Sequence, residues 1–453
     1  MKLLPRPPLD VQRPLPPFDP PRTIRGSRAC ALGLTLLGLA IAGCSAGGGL
    51  TPSSHQPGER STGGSGRYGA NIARALPAVS PSPVPADQVA CNPGPPTPGT
   101  PPNTACGVVT KPQPPSTTPS SGMTPAQLRA AYGLAPVVPA ATPGPGAPPP
   151  NASAPTGPLV AVVDAYDDPN AEQDMGKYRA QFGLPACTKG NHCFDKINLP
   201  PTPGQPPSGP GPAGKAATST WNDEITLDLA MVSAACPTCR ITLVEAGGQD
   251  LDSLATAVNT AASYGPAAIS VSWGVAEAGN AGGIDAAAQA AFNHPGIAIA
   301  ASAGDSGPGA VEFPASSPFV TSVGGTTLNA DGSSARGYDE SVWPQSANGC
   351  SSIFPAPAWQ TISNGCAGRA VPDISALADY NPGIAAYSSA DKGWVVFGGT
   401  SASAPFVAGL YAAAGDYGSA GAGAAGIYAN AGSLNSVTGS SAQLFSPNGL
   451  IGF

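Results

Sequence analysis

Hydrophobic and polar positions along this chain fall into a few readable elements separated by Pro/Gly-rich stretches. The apolar run Leu159-Val160-Ala161-Val162-Val163 predicts a buried strand that ends in Asp164. In Trp221-Asn222-Asp223-Glu224-Ile225-Thr226-Leu227-Asp228-Leu229-Ala230-Met231-Val232 the period is helical, with Ile225, Leu229 and Val232 on one face and Glu224 and Asp228 one turn apart. A second apolar strand, Gly296-Ile297-Ala298-Ile299-Ala300-Ala301, runs into Ser302-Ala303-Gly304-Asp305. A third, Trp394-Val395-Val396-Phe397, meets Gly398-Gly399-Thr400-Ser401-Ala402-Ser403-Ala404-Pro405 and then an Ala-rich helical run, which predicts strand, tight turn and buried helix. Upstream, Thr124 and Gln127 form a capping box around Pro125, and Gly133 supplies a stop, so a short helix is predicted there.

The remainder of the pattern sets the chain's organisation. Residues 29–42 are almost uninterruptedly apolar and follow Arg22, Arg25 and Arg28, which predicts an export signal over residues 1–43. Ala40-Ile41-Ala42 suits ordinary signal cleavage, whereas Ile41-Ala42-Gly43-Cys44 resembles a lipobox that would leave Cys44 lipidated and the protein on a membrane surface; cell-envelope lipoprotein and secreted protein both stay open. Residues 44–121 are rich in Pro, Gly, Ser and Thr, with too few large apolar groups to offset ordering entropy, and are expected to form a disordered tether. Residues 122–453 are expected to be the folded domain. The 453 residues carry a formal charge of −7 with only 10% charged side chains, which excludes the basic footprint of a nucleic-acid binder.

Ten cysteines suit an exported chain. With Cys30 in the signal and Cys44 carrying lipid, eight remain, and neighbours suggest the pairs Cys91 with Cys106, Cys187 with Cys193, Cys236 with Cys239 and Cys350 with Cys366. A zinc site joining such cysteines to His192 is the competing use.

Candidate chemistry lies in the acids and one serine. Asp164 invites comparison with the aspartate of a Ser-His-Asp triad, but the histidines His55, His192 and His294 lack the helical context that such a triad requires. A base must then be a carboxylate. Glu224 and Asp228, if buried together, can divide one proton between them and work where imidazole is protonated. Asp305, protonated in acid, can donate to a developing oxyanion. Ser401, at a strand-to-helix turn beside a helix N-terminus, is placed as a nucleophile or, more plainly, as a helix cap.

Taken together, Gly399-Thr400-Ser401-Ala402-Ser403-Ala404-Pro405, Glu224-x-x-x-Asp228 and Ser302-Ala303-Gly304-Asp305-Ser306-Gly307 resemble the sedolisin (serine-carboxyl peptidase) family. Ser270-Val271-Ser272-Trp273-Gly274, Phe313-Pro314-Ala315-Ser316-Ser317-Pro318 and Pro357-Ala358-Trp359-Gln360 add to the similarity. The resemblance implies an α/β, subtilisin-like fold with a mostly parallel central sheet and helices on both faces. It also implies hydrolysis of protein or peptide substrates at acidic pH by a monomer, with a bell-shaped profile expected to peak at about pH 3–5. By the same resemblance Ser401 is the nucleophile, Glu224 its base and Asp228 the partner of Glu224. Asp305 would join the Ser401 N–H in the oxyanion hole, and Ser270, Ser272, Trp273 and Gly274 would line the substrate cleft.

The chain departs from the family twice. The family's large folded pro-domain has only the Pro-rich tether in its place, so control of activity is unexplained. The family's calcium site, in a segment resembling Leu434-Asn435-Ser436-Val437-Thr438, meets Ser436 where an Asp is expected, and no Asp or Glu follows Asp416. Calcium usually takes some carboxylate oxygens, so no metal or other cofactor is expected. An inactive surface lipoprotein that keeps the fold for binding is the alternative reading, opposed by the presence of all four of Glu224, Asp228, Asp305 and Ser401.

Overall fold

A computed structural model of the chain describes residues 104–106, 108–114, 116–136, 155–200, 217–334, 336–361, 365–415, 423–434 and 437. The chain divides into two units, residues 1–76 and residues 77–453, and every described residue lies in the second. The expected signal segment, Cys30, Cys44, His55 and Cys91 lie outside the described residues.

Strands β1 (Ala105–Cys106) and β2 (Val109–Pro112) come first, followed by helix α1 (Pro125–Ala131), β3 (Leu159–Ala165), α2 (Ala171–Gln181), β4 (Phe194–Asn198) and α3 (Ala217–Ala235). Next are β5 (Arg240–Ala246), α4 (Leu251–Ser263), β6 (Ala268–Val271), β7 (Trp273–Ala276), α5 (Ala286–Ala290), β8 (Ala298–Ser302) and β9 (Glu312–Phe313). The chain continues through β10 (Thr321–Ala330), β11 (Tyr338–Val342), β12 (Gly349–Pro355), β13 (Gly368–Val371), β14 (Ile374–Leu377), β15 (Ile384–Ser388), β16 (Gly393–Gly398), α6 (Thr400–Ala414) and α7 (Ala425–Ala429).

Eight strands form the central sheet in the order β11-β10-β8-β6-β3-β5-β4, with β14 added beside β10. All neighbours run parallel except β10 and β11. In β3 every residue after Leu159 is buried, and β6 and β8 are buried throughout. Burial of both alternating sets of side chains means that both faces are covered, which is why these strands read as continuous apolar runs. Helices α3 and α6 pack on each other and on β3, and α6 extends over β6 and β8; α4 packs on β3 and β5. This is the α/β architecture expected, and it leaves Asp164, Asp305 and Ser401 at or just beyond strand ends, where open α/β sheets bind ligands.

The Thr124 capping box forms, with Gln127 N–H donating to Thr124 Oγ1 at 3.3 Å and Thr124 N–H to Gln127 Oε1 at 2.9 Å. The tether expectation needs correction over 104–121. Ala105 pairs antiparallel with Gly274, Cys106 with Trp273, and Val109, Thr110, Lys111 and Pro112 with Gly398, Phe397, Val396 and Val395. Thr104, Cys106, Val108 and Thr110 are all buried, the period of a strand. Gln113 Oε1 then accepts from Ser120 N–H, Ser120 Oγ and Ser121 N–H, closing the loop that follows. Averaging the composition over the whole Pro-rich stretch hid the β-branched Val108-Val109-Thr110, which is the local signal for this strand.

Among the described residues no helix is long and apolar enough to cross a membrane.

Candidate active site

Helix α3 carries two carboxyls into the interior. Trp221, Ile225, Leu227, Leu229, Met231 and Val232 are all buried, so the helix is apolar around its whole circumference rather than along one stripe. Glu224 and Asp228 are 0% exposed, which excludes a solvated acidic face. Burial pushes both well above the ordinary carboxyl range. Repulsion from Asp228, Asp164 and Asp305 adds to the rise at Glu224, and that from Asp164 adds to it at Asp228. Ser401 and Ser272 oppose these rises by favouring ionised Glu224 and Asp228 respectively. The Ser272 hydroxyl proton is shared between the two Asp228 oxygens, each 2.9 Å away.

Ser401 arrives from the other side. Strand β16 ends at Gly398, and Gly399 turns the chain with φ 103°, a conformation that favours glycine. Gly399 itself caps α6, so Ser401 lies inside the first turn and is not the cap. Its hydroxyl donates to Ser272 O at 3.2 Å. With the hydroxyl turned that way, neither Glu224 oxygen has a partner of full hydrogen-bond geometry, although Ser401 lies near enough to ease ionisation of Glu224. Pro405 has no N–H to return to Ser401 O, and the Ser272 hydroxyl stands 3.5 Å from that oxygen.

Asp305 follows β8 through Ala303 and Gly304. Its Oδ1 accepts from Thr400 N–H at 2.9 Å and Thr400 Oγ1 at 2.7 Å. Oδ2 has no partner, so a proton on the neutral acid belongs there. Burial raises this carboxyl to about 7 against the opposing pull of the two Thr400 bonds.

Two further acids join the group. Asp164 is 0% exposed, faces Glu245 across the β3–β5 register, and makes no hydrogen bond with either oxygen. Burial and then Glu245 push it well above the carboxyl range. The sequence singled it out but gave it no role, because a strand pattern does not show which helix will cross its end. Glu312, on β9 beside β7, was missed altogether. Its carboxyl occupies the space that a side chain on Gly274 or Gly304 would need, and enclosure followed by repulsion from Asp305 lifts it to about 8.

The expected substrate-lining residues are placed differently. Ser270 and Ser272 are fully buried, and Ser272 serves Asp228. Trp273 is fully buried and donates from Nε1 to Val163 O at 2.7 Å. Gly274 makes room for Glu312 on one side while its backbone pairs with Ala105 on the other. The strand thus presents backbone, not side chains.

Known proteins resemble this chain in sequence and fold. Residues 209–418 match the model described as the subtilase family. Kumamolisin of Bacillus sp. (strain MN-32) is 32% identical over 287 residues, 56% of this chain and 48% of kumamolisin. Sedolisin of Pseudomonas sp. (strain 101) is 37% identical over 114 residues, 22% of this chain and 19% of sedolisin. The structure of Pseudomonas sedolisin, described as a serine-carboxyl proteinase complexed with two molecules of pseudo-iodotyrostatin, gives a TM-score of 0.54. Its sequence identity is 23%, over 71% of this chain and 90% of that one. The chain is similar to members of the sedolisin family and has their subtilisin-like fold. It spans about half the length of kumamolisin and about a fifth of the curated sedolisin.

Among the described residues the cysteines pair as neighbours: Cys187 with Cys193, Cys236 with Cys239 and Cys350 with Cys366. These bonds consume the thiolates that a zinc site with His192 would need. Cys106 is also disulfide-bonded. Among the described residues no group of three or more His, Cys, Asp or Glu side chains is arranged to hold a metal. Of the segment compared with the family's calcium site only Leu434 and Val437 are described; Asp416, Asn435, Ser436 and Thr438 are not.

Proposed function

We propose that this chain is an exported serine-carboxyl endopeptidase acting at acidic pH, with Ser401 as nucleophile, Glu224 as base, Asp228 as its partner and Asp305 in the oxyanion hole. The observation that carries this reading is the meeting of Ser401 with three buried carboxyls and no histidine. Ionised Glu224 accepts the Ser401 hydroxyl proton as Oγ attacks the peptide carbonyl carbon. Asp305 Oδ2–H donates to the carbonyl oxygen as charge develops on it, joined by the Ser401 N–H in the first turn of α6. Glu224 returns the proton to the leaving amine, and water then hydrolyses the acyl-enzyme by the reverse sequence. Ser272, by binding Asp228, keeps that carboxyl ionised more readily than burial alone would allow.

Export accords with the disulfides, whose formation needs an oxidising compartment; lipid on Cys44 and a monomeric state complete the reading. Protein or peptide substrates follow from the chemistry, and the low positive charge gives nucleic acid no purchase. Calcium is not part of the proposal, since the tail offers no carboxylates for it. Incubation of the purified protein with denatured casein across about pH 2 to 8 is the test. Hydrolysis in acid by the wild type and none by Ser401→Ala is expected. Hydrolysis by both proteins at one rate removes the assignment.

A further inference from the structure

Thr400 stands immediately before the proposed nucleophile, is 0% exposed, and directs both its N–H and its hydroxyl at a single oxygen, Asp305 Oδ1. A third contact settles which way the hydroxyl hydrogen points. Gly304 N–H donates to Thr400 Oγ1 at 3.2 Å, so that oxygen accepts from the chain leaving β8 and donates to Asp305. The side chain is also held by its other branch. Thr400 Cγ2 lies toward Gly325 in β10, where a side chain's first carbon would stand 3.4 Å from it. Both branches sit on one β-carbon, so packing the methyl also fixes the direction of the hydroxyl.

A carboxyl oxygen has two lone pairs, and the two Thr400 donors occupy both of them on Oδ1. The proton of the neutral acid then has one place left, Oδ2, which makes no hydrogen bond of its own. Without the Thr400 hydroxyl, either oxygen could carry the proton and the carboxyl could turn about its Cβ–Cγ bond. Only a fraction of the molecules would then aim a donor at a substrate carbonyl. The titratable groups facing Asp305 are Glu224 from α3 and Glu312 from β9, and the negative form of either would raise Asp305 further. Burial raises it as well, and the two Thr400 bonds oppose that rise. Thr400 thus has two effects of opposite sign on the reaction. It aims the acid, and it makes the acid easier to ionise.

We propose that Thr400 is the positioning residue of the oxyanion hole, holding the Asp305 proton on Oδ2 and so directing it at the carbonyl oxygen of the substrate. This rests on the peptidase reading above and adds a consequence that a merely packed threonine would not have. Loss of the hydroxyl should slow the reaction at its optimum and at the same time carry the alkaline limit upward, because a carboxylate that loses a donor holds its proton more tightly.

The test compares wild type, Thr400→Val and Thr400→Ser by kcat and KM on a peptide substrate and by full pH–rate profiles, with circular dichroism as the check on folding. Thr400→Val keeps the branched shape and the backbone N–H but has no hydroxyl. Its kcat should fall roughly tenfold or more with KM little changed. Its alkaline half-point should rise by about half a pH unit or more relative to wild type. Thr400→Ser keeps the hydroxyl and should bring the alkaline limit back to the wild-type position. Thr400→Ala, which also lacks the hydroxyl, carries the same two expectations as Thr400→Val and replaces it if the valine protein does not fold. A folded variant without the hydroxyl that matches wild type in kcat and in alkaline limit would overturn the positioning role and leave the peptidase standing. A slowed variant whose alkaline limit stays in place would overturn it too, since that is the effect of disturbed packing alone. A wild type inert toward casein and peptide at every pH would remove the peptidase reading and this one with it.

Discussion

Two groups of buried carboxyls sit near the ends of β3 and β5, and they are built differently. In one, Glu245 and Asp168 share Lys196: Lys196 Nζ lies 3.2 Å from Glu245 Oε2, and Asp168 N–H donates to Glu245 Oε1 at 2.9 Å. Burial raises these carboxyls to about 7 and about 6, opposed first by the backbone N–H groups of Asp168 and Asn170 respectively and then by Lys196. In the other, Glu224, Asp228, Asp164 and Asp305 face one another, and no cation is among the groups acting on them. Their relief comes from the serine and threonine hydroxyls and the Thr400 N–H alone. The first group is an ion-paired support whose charges are settled by a lysine. The second leaves protons to be divided among carboxyls, which is the condition for one of them to be a base while another remains an acid.

The largest expected effect comes from breaking the lysine-free group. Glu224→Gln, a near-isosteric change that removes the base, should lower kcat by roughly 10^5-fold or more, and adding Asp228→Asn should cost little further, because the members act as a unit. Single-turnover rates on a peptide substrate check this, with circular dichroism confirming that the fold persists. Next in size, Asp305→Ala should cost on the order of 10^2 to 10^3 in kcat, the loss of one oxyanion donor. Asp305→Asn keeps a donor that never titrates, so whatever rate survives should no longer decline above about pH 7.

Lys196→Met tests the other side of the comparison. It leaves Glu245 without its cation and should lower stability by about 2 kcal/mol in chemical denaturation, a moderate loss because Lys196 is not fully enclosed. The shape of the pH–rate profile should stay as in wild type; a displaced profile would show that the two groups are one. Smallest of all is the expected effect of a calcium chelator: an unchanged melting temperature. A clear fall would show that the tail holds a metal after all.

Only the lysine-free side of this contrast was legible in the sequence, and the reasons differ from residue to residue. Ser401, Glu224, Asp228 and Asp305 were singled out because each lies on or beside a strongly patterned element whose type and end are fixed locally by apolar periodicity and glycines. The burial of Glu224 and Asp228 was left conditional, since encirclement of α3 by α6, α2 and β3 is a tertiary fact with no local trace. Glu312 escaped because a lone acid on a two-residue strand has no pattern; its meaning lies in Gly274 and Gly304, distant in sequence, both lacking the side chain that would displace it. The substrate residues were assigned by motif, and the covering of both faces around β6 and β7 then enclosed Ser270, Ser272 and Trp273. Residues 104–112 were misjudged because nonlocal pairing, not composition, orders them.

The pH–rate profile of the wild-type protein tests the central claim most directly. The proposed mechanism requires one proton to have left the Glu224/Asp228 pair while Asp305 still holds its own. The apparent limits belong to the coupled group as a whole. With Asp305 raised to about 7, the alkaline limb lies nearer neutrality than ordinary carboxyls would place it, while the maximum stays in acid. The account predicts a bell that rises through the acid range and has fallen by half or more at about pH 7. A rate that climbs through neutrality to a plateau in mild alkali, where Asp305 would be ionised, would contradict it.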